Sequence, residues 1–292
     1  MRTATRTVSG GLAVLMVAVL VAACSSSSKP EANSSGTSGT TGGTAGSSAT
    51  TGTATRPLRI MVTNDDGFAA PGINAVVQGL RSLPDVEVTV VAPATNESGS
   101  GGKTTPGTLT VHDGKTASGY PAKAVAGYPA DTVRWAVDDH GLSQRPDVVV
   151  SGVNFGQNIG PTVNISGTVG AARAAASRGI PALAASAGFP PAGVRTPDFA
   201  AAVTQVEKWI TEHRAGLLAG TDSSPILLQN LNTPTCAPGT NVRGLVDVPV
   251  DANAPTSSLN SVNCASTATN PTGDVQAFSE GFEPLSNLSV TP

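Results

Sequence analysis

The chain has 292 residues, 17 Lys and Arg against 20 Asp and Glu, and a formal net charge of −3. It carries no dense Lys/Arg block, which argues against a nucleic-acid polymer as partner, since such a groove replaces many counterions with cationic side chains. A small anionic molecule is the better match, and the three cysteines lie too far in sequence from the three histidines to form a zinc site by spacing.

At the N-terminus, Arg2 and Arg6 precede 14 small or apolar residues, Gly10 to Ala23, that end at Cys24. A positive start before a short apolar core reads as an export signal. It is too short for an ordinary spanning helix, which needs ~20 residues. Val21-Ala22-Ala23-Cys24 resembles a bacterial lipobox, implying cleavage before Cys24 and lipid on its sulfur. A plain secretory signal that ends in Cys is the alternative. Of the 31 residues from Ser25 to Thr55, 23 are Ser, Thr or Gly. Such a stretch buries little apolar surface to offset the entropy of ordering. The expected organisation is therefore a signal peptide over 1–23, a lipidated Cys with a disordered linker over 24–56, and a folded domain over 57–292. The domain would sit outside the cytoplasm, anchored to a membrane through Cys24. In that setting Cys236 and Cys264, 28 residues apart, are candidates for a disulfide; two free thiols are the other reading.

Within the domain, Leu58 to Val62 reads as a first strand ending at Thr63-Asn64-Asp65-Asp66-Gly67. Ile73, Val76, Val77 and Leu80 then share a helix face. Val86 to Val91 is a second strand, and a Gly/Ser/Thr-rich loop runs from Ala94 to Gly107. Thr108 to His112 begins a hairpin. Pro129 opens a helix to about Asp139, since Pro is tolerated in the first turn. Asp147 to Val150 is a strand, Gly167 to Ser177 a small-residue helix, and Ile180 to Ala185 a strand. Phe199, Val203, Val206 and Ile210 mark a longer helix, and Pro225 to Gln229 a last strand. The order predicts an α/β fold: a Rossmann-like, mostly parallel sheet with helices on both faces. The tail 230–292 lacks this rhythm and reads as an irregular, β-containing C-terminal arm that packs on a second subunit.

In open parallel sheets ligands bind beyond the carboxyl ends of the strands. Asp65 and Asp66 stand at such an end, where a turn could bring both carboxylates to one hard divalent cation. An Asx-turn with both carboxylates in solvent is the alternative. Ser98 and Asn154 would add neutral oxygens, and Ser166-Gly167-Thr168 opens a helix whose free N–H groups could hold an anion or simply be capped. Gly99 to Thr104 has part of a P-loop, but Glu97 stands where its first Gly belongs. No G-x-S-x-G elbow surrounds Ser98, Ser100 or Ser166. His112, His140 and His213 are weak catalytic candidates.

These motifs together resemble the survival protein SurE family of metal-dependent nucleotidases and acid phosphatases. Thr63-Asn64-Asp65-Asp66-Gly67, Ala70-Pro71-Gly72-Ile73, Ala92-Pro93 through Ser98-Gly99, Gly127 to Asp131, Pro146 through Gly160 and Ser166 to Ala172 follow the family's ordered motifs. The resemblance implies one divalent ion, Mg²⁺ or Mn²⁺ foremost, on Asp65, Asp66, Ser98 and Asn154, with Asp65 catalytic. It implies phosphate contacts at Asn64, Asn158, Ser166, Gly167 and Thr168, and a homodimer through a swapped arm. The implied reaction is release of phosphate from nucleoside 5′- or 3′-monophosphates, with broader acid phosphatase or exopolyphosphatase activity in some members. Ala94, Thr95, Pro161, Thr162 and Ile165 depart from the usual family residues, which puts base stacking and substrate preference in question. A non-catalytic lipoprotein that binds a metal or phosphorylated ligand is the competing reading.

Overall fold

The structure, a computed structural model, describes residues 56–292. The signal, Cys24 and the linker up to Thr55 lie outside the described residues. Arg56, expected in the linker, belongs to the domain: its guanidinium grips Asp147 with N–O distances of 2.6 and 2.7 Å.

The strands are β1 (Leu58–Thr63), β2 (Val86–Pro93), β3 (Thr110–Lys115), β4 (Pro121–Ala126), β5 (Val148–Phe155), β6 (Ala182–Ala187), β7 (Leu228–Thr233), β8 (Leu245–Asp247) and β9 (Glu283–Asn287). The helices are α1 (Pro71–Ser82), α2 (Pro129–Val137), α3 (Gly167–Ala176), α4 (Phe199–Ala219) and α5 (Asp274–Ser279). One nine-stranded sheet has the order β3-β4-β2-β1-β5-β6-β7-β9-β8. Strands β4, β2, β1, β5, β6 and β7 run parallel. Antiparallel β3 borders one side and antiparallel β9 the other. After β1 the chain moves outward to β2 and β4, then returns to place β5 on the opposite side of β1. The crevice between the ends of β1 and β5 is therefore the topological switch point, where such sheets bind ligands.

Alternation along the strands builds two apolar layers. Ile60 and Val62 meet Ile73, Val76 and Leu80 of α1 and Val206 and Ile210 of α4 on one face. Met61 and Val149 meet Val133 of α2 and Ala171, Ala172 and Ala175 of α3 on the other. The small residues of α3 let other backbone come close. A Cβ on Gly170 would strike the carbonyl of Gly101, so glycine there admits the loop after β2 against α3. Gly72 has the same role for α1, because a Cβ there would collide with the carbonyl oxygen of Val153 at the end of β5.

Several boundaries differ from the sequence reading. Strand β5 continues to Phe155, past Gly152, because its pairing with β6 resumes after a register shift between Ser151 and Asn154. Strand β7 is displaced toward Thr233 because Asn230 and Asn232, read as loop residues, are buried and donate their side-chain N–H groups to the carbonyl of Asn158 at 2.7 and 3.2 Å. The tail expected as an irregular arm is largely folded back on its own chain: β9 pairs with β7 and β8 with β9. The Glu283 side chain, 1% exposed, accepts from Gln205 at 2.8 Å and from Thr233 at 3.2 Å. Cys236 and Cys264 form a disulfide with a Cα–Cα distance of 5.7 Å. Among the described residues, no helix is long and apolar enough to cross a membrane.

Candidate functional site at the β1–β5 crevice

Strand β1 delivers Asp65 and Asp66 to the crevice. Asn64 makes their turn: its side chain donates to the carbonyl of Gly67 at 3.0 Å and accepts from the N–H of Gly67 at 3.2 Å. Asn64 is thus a turn-forming residue. Its amide is fully buried and both of its ends are engaged in the turn.

The loop after β2 is tied to the same turn. The N–H of Glu97 donates to the carbonyl of Asp65 at 2.7 Å, and that of Gly101 to the carbonyl of Ile165 at 3.0 Å. Asn96 donates to Asp66 Oδ1 at 3.3 Å and accepts from the N–H of Ser98 at 2.9 Å. Ser98 is left exposed at the rim. From β5, the N–H of Phe155 donates to Asp66 Oδ2 at 3.0 Å. Asn154 Nδ2 donates to the carbonyl of Gly156 at 2.7 Å, and its Oδ1 accepts no hydrogen bond from the described residues.

Asp65, Asp66, Asn96, Ser98, Asn154, Asn158 and Ser166 all line one cavity of about 720 Å³. The four oxygen donors expected from three separate segments are thus brought to a common space. Gly167 and Thr168 are placed differently, just behind Asp65. Gly167 leaves room for it, since a Cβ there would lie 2.8 Å from the Asp65 Cβ. Thr168, fully buried, donates its hydroxyl to Asp65 Oδ1 at 2.7 Å. Asn158 supports that hydroxyl at 3.4 Å and bonds Ser186 at 3.0 Å. The side chain of Thr168 therefore steadies a carboxylate. Ser166 caps α3 by accepting from the N–H of Val169 at 3.1 Å, which leaves its own proton free.

Burial pushes the Asp65 carboxyl up to about 6, the Thr168 hydroxyl opposes that rise, and the neighbouring charge of Asp66 adds to it. Burial also raises Asp66, against the hydrogen bonds from Phe155 and Asn96. Among the described residues, no Lys, Arg or His makes an ion pair with either carboxylate. None holds a group of three or more His, Cys, Asp or Glu side chains suited to a metal. The donors here are two carboxylates, a free amide oxygen and an exposed hydroxyl. That all-oxygen set fits one hard divalent cation, which would remove the repulsion between the carboxylates.

The histidines are elsewhere. His112 lies exposed on β3, His140 in a turn, and His213 against Trp209 on α4, with ring centroids 4.6 Å apart. Sequence reasoning missed an aromatic wall: Phe155, Phe189 and Phe199 line the same cavity. The chain has six phenylalanines, and half of them gather here. No local pattern signals this, because the three stand on β5, after β6 and at the start of α4.

A Rossmann-like sheet with an acidic, oxygen-rich crevice at its switch point defines the class: an α/β protein with paired carboxylates at the ligand-binding edge of its sheet. The chain belongs to the survival protein SurE family, whose family model matches residues 60–253. It is 41% identical over 183 residues to a protein of Sorangium cellulosum, covering 61% of this chain and 65% of that one. It is 38% identical over 195 residues to one of Burkholderia lata, covering 65% and 70%. A protein of Methanopyrus kandleri is 43% identical over 129 residues, 44% of this chain and 48% of its own length. These relatives carry the name 5′-nucleotidase SurE. The chain spans about half the length of several of the curated relatives it matches. The crystal structure of the SurE protein from Aquifex aeolicus superimposes with a TM-score of 0.60 at 24% identity, over 80% of this chain and 93% of that one, and so shares the fold.

Proposed function

We propose that the chain is a metal-dependent phosphomonoesterase that releases phosphate from nucleoside 5′- or 3′-monophosphates. The observation that carries this reading is the convergence of Asp65, Asp66, Ser98 and Asn154 on one cavity beside the N-terminus of α3. The naming of the relatives as 5′-nucleotidases points the same way. In this reading the four residues hold one divalent cation, Mg²⁺ or Mn²⁺. Bound there, it would offset charge on the phosphoryl oxygens as the ester bond breaks. Asp65 aligns the attacking water and takes its proton, a role its carboxylate can fill because the crevice opens onto it. Thr168 keeps that carboxylate in place through its 2.7 Å hydrogen bond. The free hydroxyl proton of Ser166 and the N–H groups of the first turn of α3 hold phosphate oxygens, as a helix N-terminus favours. The oxygen of water bonds to phosphorus, the P–O ester bond breaks, the proton taken by Asp65 returns to the leaving oxygen directly or through solvent, and alcohol and inorganic phosphate remain.

The proposed setting is extracytoplasmic, with the domain tethered to a membrane through lipid on Cys24. The Cys236–Cys264 disulfide supports export, since such bonds persist in oxidising compartments. A homodimer is part of the same reading. The edge strand β8, with Leu245 36% exposed, is a surface that a second copy could cover.

The test is phosphate release from AMP, a 3′-nucleotide and polyphosphate by chelated protein before and after metal is returned. Release only after metal return is expected. Retention of AMP without phosphate release would instead make this a binding protein. Fractionation of cells carrying Cys24→Ser checks the anchor, the expected result being loss of the chain from the membrane fraction. Sedimentation of the exported domain checks the dimer.

A further inference from the structure

We propose that a second cavity, separate from the crevice but sharing Ser166 with it, is a binding site for a small phosphate-class oxyanion, with Arg173 as its principal cation. Its volume is about 270 Å³. Drug-sized ligands fill pockets of roughly 300–1,000 Å³, so a small inorganic anion is the better match. Helix α3 and the residues just after it supply Arg173 and Arg178, the turn before it supplies Asn164 and Ser166, and Thr104 comes from the loop after β2. The two cavities differ in sign. Asp65 and Asp66 face the crevice, whereas two arginines and no Asp or Glu line the second cavity.

Arg173 is half-buried, and among the described residues no Asp or Glu pairs with it. Its Nε donates to the carbonyl of Ser289 at 3.2 Å and its Nη1 to Asn164 Oδ1 at 3.1 Å. Its Nη2 has no acceptor among the described residues. Two other half-buried arginines without a carboxylate show what a purely structural guanidinium does. Arg214 gives its two terminal nitrogens to the carbonyls of Pro84 and Asp85, at 3.2 and 2.7 Å. Arg243 gives its own to those of Glu280 and Ala268, at 3.1 and 2.6 Å. Arg173 instead keeps one end of its fork unused in the wall of a cavity. Burial holds its pKa below the ordinary arginine value, a cost that a bound anion would offset. The planar fork suits the paired oxygens of phosphate.

The neighbours are donors too. Asn164 spends its Oδ1 on Arg173, and its Nδ2 has no acceptor among the described residues. Ser166 accepts from the N–H of Val169 and so keeps its hydroxyl proton. Thr104 adds an exposed hydroxyl at the rim. Arg178 is paired with Asp138 at 2.5 Å, so it lends donors more than charge. The net charge of the site therefore rests on Arg173.

The experiment titrates inorganic phosphate into the chelated full chain by calorimetry. Without a cation the paired carboxylates repel phosphate from the crevice, so binding under these conditions reports the second cavity and does not depend on turnover. The wild type is expected to bind one phosphate. Arg173→Met keeps the apolar stem and should weaken binding at least about tenfold, as loss of a charged hydrogen-bond donor does. Arg173→Lys, which keeps the charge, should restore most of the affinity. Thr104→Glu places a negative charge at an exposed rim position and should weaken binding as well. AMP in place of phosphate separates a free ion from the phosphoryl end of a larger molecule, and it should bind at least about tenfold more weakly because the cavity has no room for a nucleoside. A thermal melt checks each variant, and if Arg173→Met does not fold, Thr104→Glu decides alone. Wild-type phosphate affinity in a folded Arg173→Met, no phosphate bound by the wild type, or AMP bound as tightly as phosphate each overturns the proposal.

Discussion

Strands β1, β2, β5 and β6 meet their helices through Ile60, Val62, Val88, Val90, Val150 and Leu183, all buried. The segment after β7 has a smaller apolar cluster, Ala254, Leu259, Val275 and Phe278, packed on Ile159 from the loop after β5. It leans instead on placed polar groups. Asp274 accepts from the N–H groups of Gly160, Asp251 and Val275, each at 2.8 Å, and a disulfide closes its loop. Apolar burial is non-directional and tolerates small shifts. A buried carboxylate with three donors has one workable position, and losing it strands each donor. The candidate site draws on both regions. Its carboxylates stand in the turn just after β1, while the Gln157 that accepts from the Phe189 N–H is itself held by Leu259 and Asn260. Changes on the parallel side should therefore act on chemistry, and changes in the later segment on stability and recognition.

The largest expected effect tests the parallel side. Asp65→Asn should lower kcat for phosphate release from AMP roughly a thousandfold. Its urea midpoint should hold or rise, because a buried charge next to Asp66 is gone. Turnover near the wild-type value would break the assignment of Asp65.

Opening the bridge probes the other region. Replacing Cys236 and Cys264 together by Ser should cost about 3–4 kcal/mol in urea unfolding, the chain-entropy value for a loop of this length. KM for AMP should rise more than kcat falls. Equal damage to kcat would mean that the segment supports the carboxylates after all.

The third expectation concerns pH. The folded-state pKa of Asp65 is raised from 3.8 to about 6. Its contribution to stability is thus fully present below about 3.8 and lost as pH rises through about 6, up to about 3 kcal/mol. Metal-free protein should melt lower at about pH 7 than at about pH 4.5 from this source, and added Mg²⁺ or Mn²⁺ should raise the melting point more at the higher pH. Metal stabilisation of equal size at both would mean that the ion does not act on Asp65.

Smallest in expected size, Asp274→Ala should cost about 2 kcal/mol, because buried N–H groups lose their acceptor. Urea unfolding reads that loss, and the rate with glycerol 3-phosphate should change less than the KM for AMP. A variant as stable as the wild type would show that water replaces the carboxylate.

Much of the parallel core was legible in sequence. Leu58–Val62, Val86–Val91 and the Ile73–Leu80 helix face have the right period and clear stops. The paired aspartates and Asn154 stood at strand ends where chemistry is expected. The misreadings share one cause. Gly152 within β5 and Asn230 and Asn232 within β7 look like breaks in a local window, yet each is a strand residue accommodated by a neighbour distant in sequence. Asn64 and Thr168 carried the expected residue types, and only their partners reveal that their side chains also hold the turn and Asp65.

Sequence alone determined the order of strands and helices, the acidic turn after β1, the glycine-rich loops and the family, because these depend on residue type and short spacing. Only the tertiary structure decided which side of β1 receives β5, and so where the crevice opens. It also decided that Phe155, Phe189 and Phe199 share one wall, and that the tail extends its own sheet. Those outcomes come from packing between segments tens of residues apart, and no local periodicity encodes which distant surface a side chain will meet.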